Sequence, residues 1–237
     1  MRRYSRYRPA RRSQFLGLWA LASLSITGAL HAQDTEPQYD LVRTVHILDE
    51  PRHRTVYKDG AIRLLDVQIN PGDKSLPHTH DFAILYTYFN LGDKPEYGRI
   101  GGNTDYAKEP YTHRVKNDGP DLFRIIAMGN TGEPMPEDAH DEPFGMEVEA
   151  QLENPWFRSY RYELAPGHST AVQSHINPSV VIQATPGLIH VSREDGITAE
   201  LSDMAQWAWR EAGSTYSVSN MGTQTVSFVI NEGRRQP

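Results

Sequence analysis

His78 and His80 are separated by one residue in the run PHTHD, which lies between a Pro71-Gly72 turn and an apolar stretch ending at Leu91-Gly92. In an extended chain, side chains at i and i+2 leave the same face. Both imidazoles can therefore reach one divalent ion, with bonds of about 2 Å. The pair is half of a metal site. Arg63 lies on the preceding run GAIRLLDVQINPG and shares strand parity with Leu65, Val67 and Ile69. That parity faces a barrel interior, where a buried cation needs a carboxylate or a substrate anion as partner. Arg63 is therefore read as a substrate-binding residue. No side chain is assigned as a general acid or base.

The elements that must position these groups are short apolar-alternating runs separated by Gly, Pro, Asn and Asp turns, with no long stretch of helical period. That pattern predicts an all-β fold, a jelly-roll barrel or antiparallel sandwich. The runs also repeat. An offset of 95 residues aligns 60–92 with 155–187 without a gap, matching Arg63 with Arg158, Pro71-Gly72 with Pro166-Gly167, His80 with His175, and Gly92 with Gly187. An offset of 103 aligns Asn117 with Asn220, Gly119 with Gly222, and the run FRIIA at 123–127 with VSFVI at 226–230. One structural unit therefore occurs twice. We expect a first domain over residues 33–130, a Pro- and acid-rich connection over 131–154, and a second domain over 155–237. Residues 41–48 read as an added edge strand.

The spacing Gly72, five residues, His78-Thr79-His80, and then Gly92 resembles the first motif of the cupin superfamily, in which Leu85 stands at the position of a Glu. The run from His113 to Asn117 resembles the end of the second motif, a His and an Asn with three residues between them; Lys108 and Pro110 stand where that motif has Pro and Gly. The resemblance implies a bicupin, two tandem cupin-type jelly-roll β-barrels, with His78, His80 and His113 holding one divalent metal ion in the first. In the second copy the four positions read Gln173, His175, Val180 and Tyr216, a poor divalent set. Fe(II) and Zn(II) are the expected ions, and Mn(II), Ni(II) and Cu(II) are admissible. Without the Glu the ion keeps its full double charge, which favours an anionic, chelating substrate. Cupins with three histidines include thiol and β-diketone dioxygenases, so the resemblance implies oxygen activation as one activity.

Residues 1–12 carry six Arg and no acid, 15–30 form an apolar run, and Leu30-His31-Ala32 is a small-residue cleavage site. This is the layout of a secretory signal peptide over residues 1–32, too short in its apolar part for a membrane span. The expected location is periplasmic or secreted. Removing the six Arg from 24 basic residues leaves 18 against 30 acidic ones, a formal charge of −12. Such a surface disfavours nucleic acid and anionic membrane. The chain has no Cys, so disulfides and thiolate ligands are excluded. The expected partner is a small-molecule substrate, and pairing of barrels through sheet edges predicts a homodimer.

The remaining candidates read more simply. Asp81 reads as a turn former rather than a group that orients an imidazole, and Asn117 and Asn220 as caps of Gly-containing turns. Tyr86, Tyr88, Tyr106 and Tyr111 are candidates to line a pocket mouth, though by alternation Tyr86 and Tyr88 point away from Leu85, toward an outer face where aromatics more often pack on a partner sheet or subunit. Trp207 and Trp209 share one strand face and read as packing between barrels or dimer partners, ahead of a stacking platform for a sugar-like ligand. Glu137, Asp138, His140, Asp141 and Glu142 read as a solvated linker. Two functions from different classes remain. One is an exported metal-dependent enzyme, either a non-heme dioxygenase or a redox-silent lyase or isomerase; the other is a non-catalytic module that captures a small ligand. The three histidines favour the first, and the missing Glu favours the second.

Overall fold

Gly, Pro and Asn interrupt the chain too often for a helix of useful length, and among the described residues only two single 3-10 turns accompany the strands. The computed structural model describes residues 43–90 and 96–236. The expected signal peptide, Leu41, Val42 and the turn at Leu91-Gly92 lie outside them.

The first barrel contains β1 (Val45–His46), β2 (His53–Asp59), β3 (Ile62–Ile69), β4 (His78–His80), β5 (Ala83–Asn90), β6 (Glu96–Asn103), β7 (Tyr111–His113) and β8 (Phe123–Asn130). They form a five-stranded sheet in the order β2-β3-β8-β5-β6 and a three-stranded sheet in the order β1-β4-β7. The second contains β9 (Ala150–Asn154), β10 (Phe157–Leu164), β11 (Gln173–Ser174), β12 (Ser179–Gln183), β13 (Ile189–Arg193), β14 (Thr198–Leu201), β15 (Trp207–Arg210), β16 (Thr215–Asn220) and β17 (Val226–Gly233). Its sheets run β15-β12-β17-β10-β9 and β11-β16-β13-β14. The all-β, two-barrel expectation holds.

The repeat survives in detail. β3 and β10 are eight residues each and lie 95 apart, and β8 and β17 are eight residues each and lie 103 apart. In both barrels an asparagine closes the same turn. Asn117 donates its amide to the carbonyls of Ile69 and Asp121 and accepts from the Gly119 N–H; Asn220 donates to Leu164 and Gln224 and accepts from Gly222. The backbone N–H groups of Gly72 and Gly167 donate to the carbonyls of these two asparagines. Both glycines have positive φ, 78° and 75°, a conformation their neighbours could not adopt without strain.

Each five-stranded sheet is covered on both sides. Inside the first barrel, Leu65, Val67, Ile69, Ile84, Ile125 and Ala127 form one apolar cluster. On the opposite face, Ile62, Leu64, Leu85, Phe89, Ile126 and Met128 pack against Trp156, Phe157, Val180, Ile182 and Val229 of the second barrel. This is why β12 and β17 read as continuous apolar runs rather than alternating ones. Trp207 and Trp209 pack against this shared layer, with Trp209 4.7 Å from the Tyr57 ring, so the packing role expected of them holds. Buried polar contacts also cross the layer: Asn231 Nδ2 donates to Thr87 Oγ1 at 2.8 Å, while Ser159 Oγ donates to Asn231 Oδ1, and Asn130 Nδ2 donates to the Arg234 carbonyl at 2.7 Å.

The connection departs from expectation in two respects. Its last five residues, Ala150–Asn154, form β9 and pair with β10, so the strands of the second barrel begin before residue 155. Asp141, expected in solvent, is buried. It accepts from Arg158 Nη2 at 2.9 Å, from Arg234 Nη2 at 2.7 Å and from Asn177 Nδ2 at 2.7 Å. Arg158, 1% exposed, needs this carboxylate and Glu153 to offset its desolvation. Burial by itself would raise the Asp141 pKa, but the hydrogen bonds from Arg234, Asn177 and Arg158 outweigh it and hold the group at about 2.

Replacing Asp141 by Asn is expected to cost about 3–5 kcal/mol in a denaturant titration, because two buried guanidinium groups lose their counter-charge. A depressed carboxyl contributes stability above its ordinary value of 3.8 that is lost as pH falls toward about 2. That acid-side loss should be present in the wild type and reduced in Asp141→Asn.

Candidate metal centre

β4 and β7 are three-residue strands whose antiparallel register sets His78 opposite His113. The i, i+2 spacing brings His80 to the same face. One nitrogen from each of His78, His80 and His113 lies within 4.8 Å of the others. The ring centroids are 4.6–5.1 Å apart. His80 Nε2 and His113 Nε2 are 2.9 Å apart, close to the span of two metal bonds of about 2.1 Å meeting near a right angle.

The protonation pattern also suits an ion. His78 Nδ1 donates to the Leu76 carbonyl at 2.9 Å, which leaves the lone pair on Nε2. His78 Nε2 and His80 Nδ1 are buried and have no hydrogen-bond partner. Orphaned ring nitrogens of this kind cost stability unless something binds them. Burial, against the hydrogen bond to Leu76, pushes the His78 pKa down to about 4. Burial and then the neighbouring His113 and His78 rings bring His80 to about 3, and burial also lowers His113. All three are neutral ligands at neutral pH. The residues fit one divalent ion.

Beside the histidines lies a cavity of about 210 Å³. His53, His80, His113, Tyr86, Tyr88 and Tyr106 line it along with an apolar wall that includes Val67, Ile84 and Phe123; none of its lining residues is Asp, Glu, Lys or Arg. Tyr106 packs on His80 at 4.9 Å and stacks on Tyr111, which is 49% exposed at the rim. Burial, followed by the adjacent Tyr106 and Tyr88 phenols, pushes the Tyr86 hydroxyl well above its ordinary range, so it remains a donor.

The structure rearranges several expectations. Tyr86 and Tyr88 do point away from Leu85, but theirs is the interior face: Leu85 lies in the layer between the barrels. The β5 residue beside the histidines is Ile84. An ionised Glu at position 85 would face apolar side chains at a cost of several kcal/mol, so this fold has no use for an acid there. Arg63 is not brought to the site. It lies four residues, or about 13 Å, along β3 from Val67, which pairs with His53, and its guanidinium turns back onto the carbonyls of Gly60 and Ile62. Asp81 accepts from His46, which is outside the metal set.

Two groups in the site carry no local sequence signal. His53, buried at the start of β2, stacks obliquely on His78 at 4.3 Å. Glu50 holds its Nδ1 at 2.6 Å. The polar run around them reads as surface, and no spacing ties it to residue 78.

The second barrel keeps the register and loses the site. Gln173 pairs with Tyr216 as His78 does with His113. His175 Nε2 meets Gln173 Oε1 at 3.2 Å and the Tyr216 hydroxyl at 3.1 Å, while Nδ1 faces Glu232 at 3.3 Å. Both ring nitrogens of His175 are engaged.

No protein-family model matches the sequence, and no curated protein does. Solved structures match it in three dimensions. AerE from Microcystis aeruginosa is 12% identical, with a TM-score of 0.54, over 78% of this chain and 99% of AerE. A mutant of salicylate 1,2-dioxygenase from Pseudoaminobacter salicylatoxidans, solved in complex with gentisate, is 10% identical with a TM-score of 0.58, over 83% of this chain and 77% of that one. At these identities the likeness is one of fold. Together with the repeated strands and turns, it identifies the architecture as the cupin fold, present as two tandem barrels with the three-histidine set in the first.

Proposed function

We propose that this chain is an exported, metal-dependent cupin that acts on a small, largely planar molecule bound beside the ion in the first barrel. The observation that carries this reading is the set of three neutral imidazoles, with the orphaned buried Nε2 of His78 among them, beside an aromatic cavity lined by His80 and His113. Export rests on the basic and apolar leader at residues 1–32.

His78, His80 and His113 would hold the ion, with the His78 ring fixed by the Leu76 carbonyl. A bound Fe(II) would supply oxygen activation, and Zn(II) would supply Lewis-acid polarisation without redox change. The protein walls do the rest. At about 210 Å³ the cavity is below the roughly 300–1,000 Å³ of drug-sized ligand sites, which limits the substrate to about the size of a single ring. Tyr86, Tyr106 and Phe123 offer ring faces for a planar substrate. Since no charged side chain lines the cavity, the negative charge of a bound anion would be balanced by the ion. The apolar wall excludes water from that contact. Salicylate 1,2-dioxygenase, which shares the fold, is named for a reaction on an aromatic acid. Oxygenation of a single-ring acid is the specific form of our proposal.

Elemental analysis of the protein from its native compartment should give about one equivalent of metal, lost in His78→Ala and kept in His175→Ala. An iron-loaded sample should consume O₂ with hydroxylated single-ring acids. A wild-type chain that holds no metal, and takes up none when supplied, overturns the proposal in favour of a metal-free ligand-binding module.

Acid should act on the metal-free site in a defined window. The unfolded chain takes up protons on these histidines near their ordinary value of 6.5, whereas folded His78 stays neutral down to about 4. Between those values the unfolded state binds more protons, so stability falls as pH is lowered. In a chelator, thermal midpoints should drop across this window, with a smaller drop in His80→Asn.

A further inference from the structure

The cavity holds a fourth histidine outside the metal set. Glu50 is fully buried, accepts the Arg52 and Leu76 N–H groups at 2.6 and 3.0 Å, and takes His53 Nδ1 at 2.6 Å. A carboxylate can only accept, so the Nδ1 proton of His53 is committed to Glu50. In the neutral ring the remaining lone pair is then on Nε2. No hydrogen bond among the described residues engages that atom, and His53 lines the cavity. Its ring touches His78, but His53 is not part of the set whose nitrogens can share one ion.

Every other polar group on this wall is either a metal ligand or a tyrosine hydroxyl, which rotates to donate or accept. The cavity therefore has adaptable hydroxyls, an ion site and one imidazole lone pair whose direction Glu50 fixes. We propose that His53 is a specificity-determining acceptor: it selects molecules that carry a hydroxyl or N–H group away from the atoms that bind the ion, and Glu50 is the positioning residue that sets its tautomer. This inference rests on the metal-site reading of the first barrel and adds the substrate feature that the site reads.

The test uses mature, Co(II)-loaded protein, whose visible spectrum reports on molecules entering the metal site. The probes are benzoate and its 3-hydroxy and 4-hydroxy derivatives, whose hydroxyl is too far from the carboxylate to chelate with it. At least one hydroxylated probe should bind about threefold to tenfold more tightly than benzoate, the range of one added hydrogen bond. In His53→Phe that advantage should vanish, read as the ratio of the hydroxylated probe's affinity to that of benzoate in the same Co(II)-loaded variant. Glu50→Gln should reduce the advantage, and His53→Leu serves if the Phe variant does not give wild-type circular dichroism. A preference that persists without the imidazole, or is missing from the wild type, overturns the proposal. Loss of Co(II) from both His53 variants also overturns it, since His53 would then be a ligand. A wild-type chain that takes up no Co(II), or binds it independently of His78, sinks the metal reading and this one with it.

Discussion

The apolar layer between the two five-stranded sheets governs where chemistry can sit. Each sheet is buried on both faces, so a strand such as β5 has no outer side on which to place charge. Residues of one parity, Leu85 among them, fill the layer between barrels. Those of the other parity, Ile84, Tyr86 and Tyr88, face the barrel interior. Polar groups with a task must therefore come from the small β1-β4-β7 sheet and the rim. That is where the three histidines are, and Glu50 and His53 close the site at the start of β2.

The two barrels resolve the same geometric problem in opposite ways. Pairing β4 with β7, and β11 with β16, sets one pair of side chains face to face in each interior. In the second barrel Gln173, His175, Tyr216, Ser179 and Glu232 bond to one another, and both ring nitrogens of His175 are engaged. In the first, His78 keeps a buried Nε2 without a partner, on the side of the other two metal-site rings. A folded chain tolerates such orphans where they serve an external ligand. The contrast between the copies is as informative as the histidines themselves, because the shared fold is held constant.

Much of this was legible in the sequence wherever the signal was local or repeated. The His-x-His spacing, the offsets of 95 and 103, and the paired Asn-Gly turns are short-range patterns, and the structure reproduces them in register. What escaped depends on contacts distant along the chain. Asp141 sits in an acidic, Pro-flanked run that reads as solvent-exposed; its burial follows from Arg158 and Arg234, which are 17 and 93 residues away. Glu50 and His53 reach the site through Leu76 and His78, again without a spacing to betray them. Tyr86 and Tyr88 were assigned the correct parity and the wrong side, because alternation separates two faces without saying which is interior when both are covered. Arg63 shows the converse: interior parity does not deliver a guanidinium to a site about 13 Å along the strand.

The shared layer has one more consequence, for traffic rather than for stability. Strands β5 and β8 form the rear wall of the cavity and are backed by the second barrel, so that wall has no room to swing outward. The exposed end of the cavity is the rim where Tyr111 stacks on Tyr106. Room for a molecule to enter or leave must therefore come from the sides of the cavity away from β5 and β8, where Tyr106 stacks on the half-exposed Tyr111.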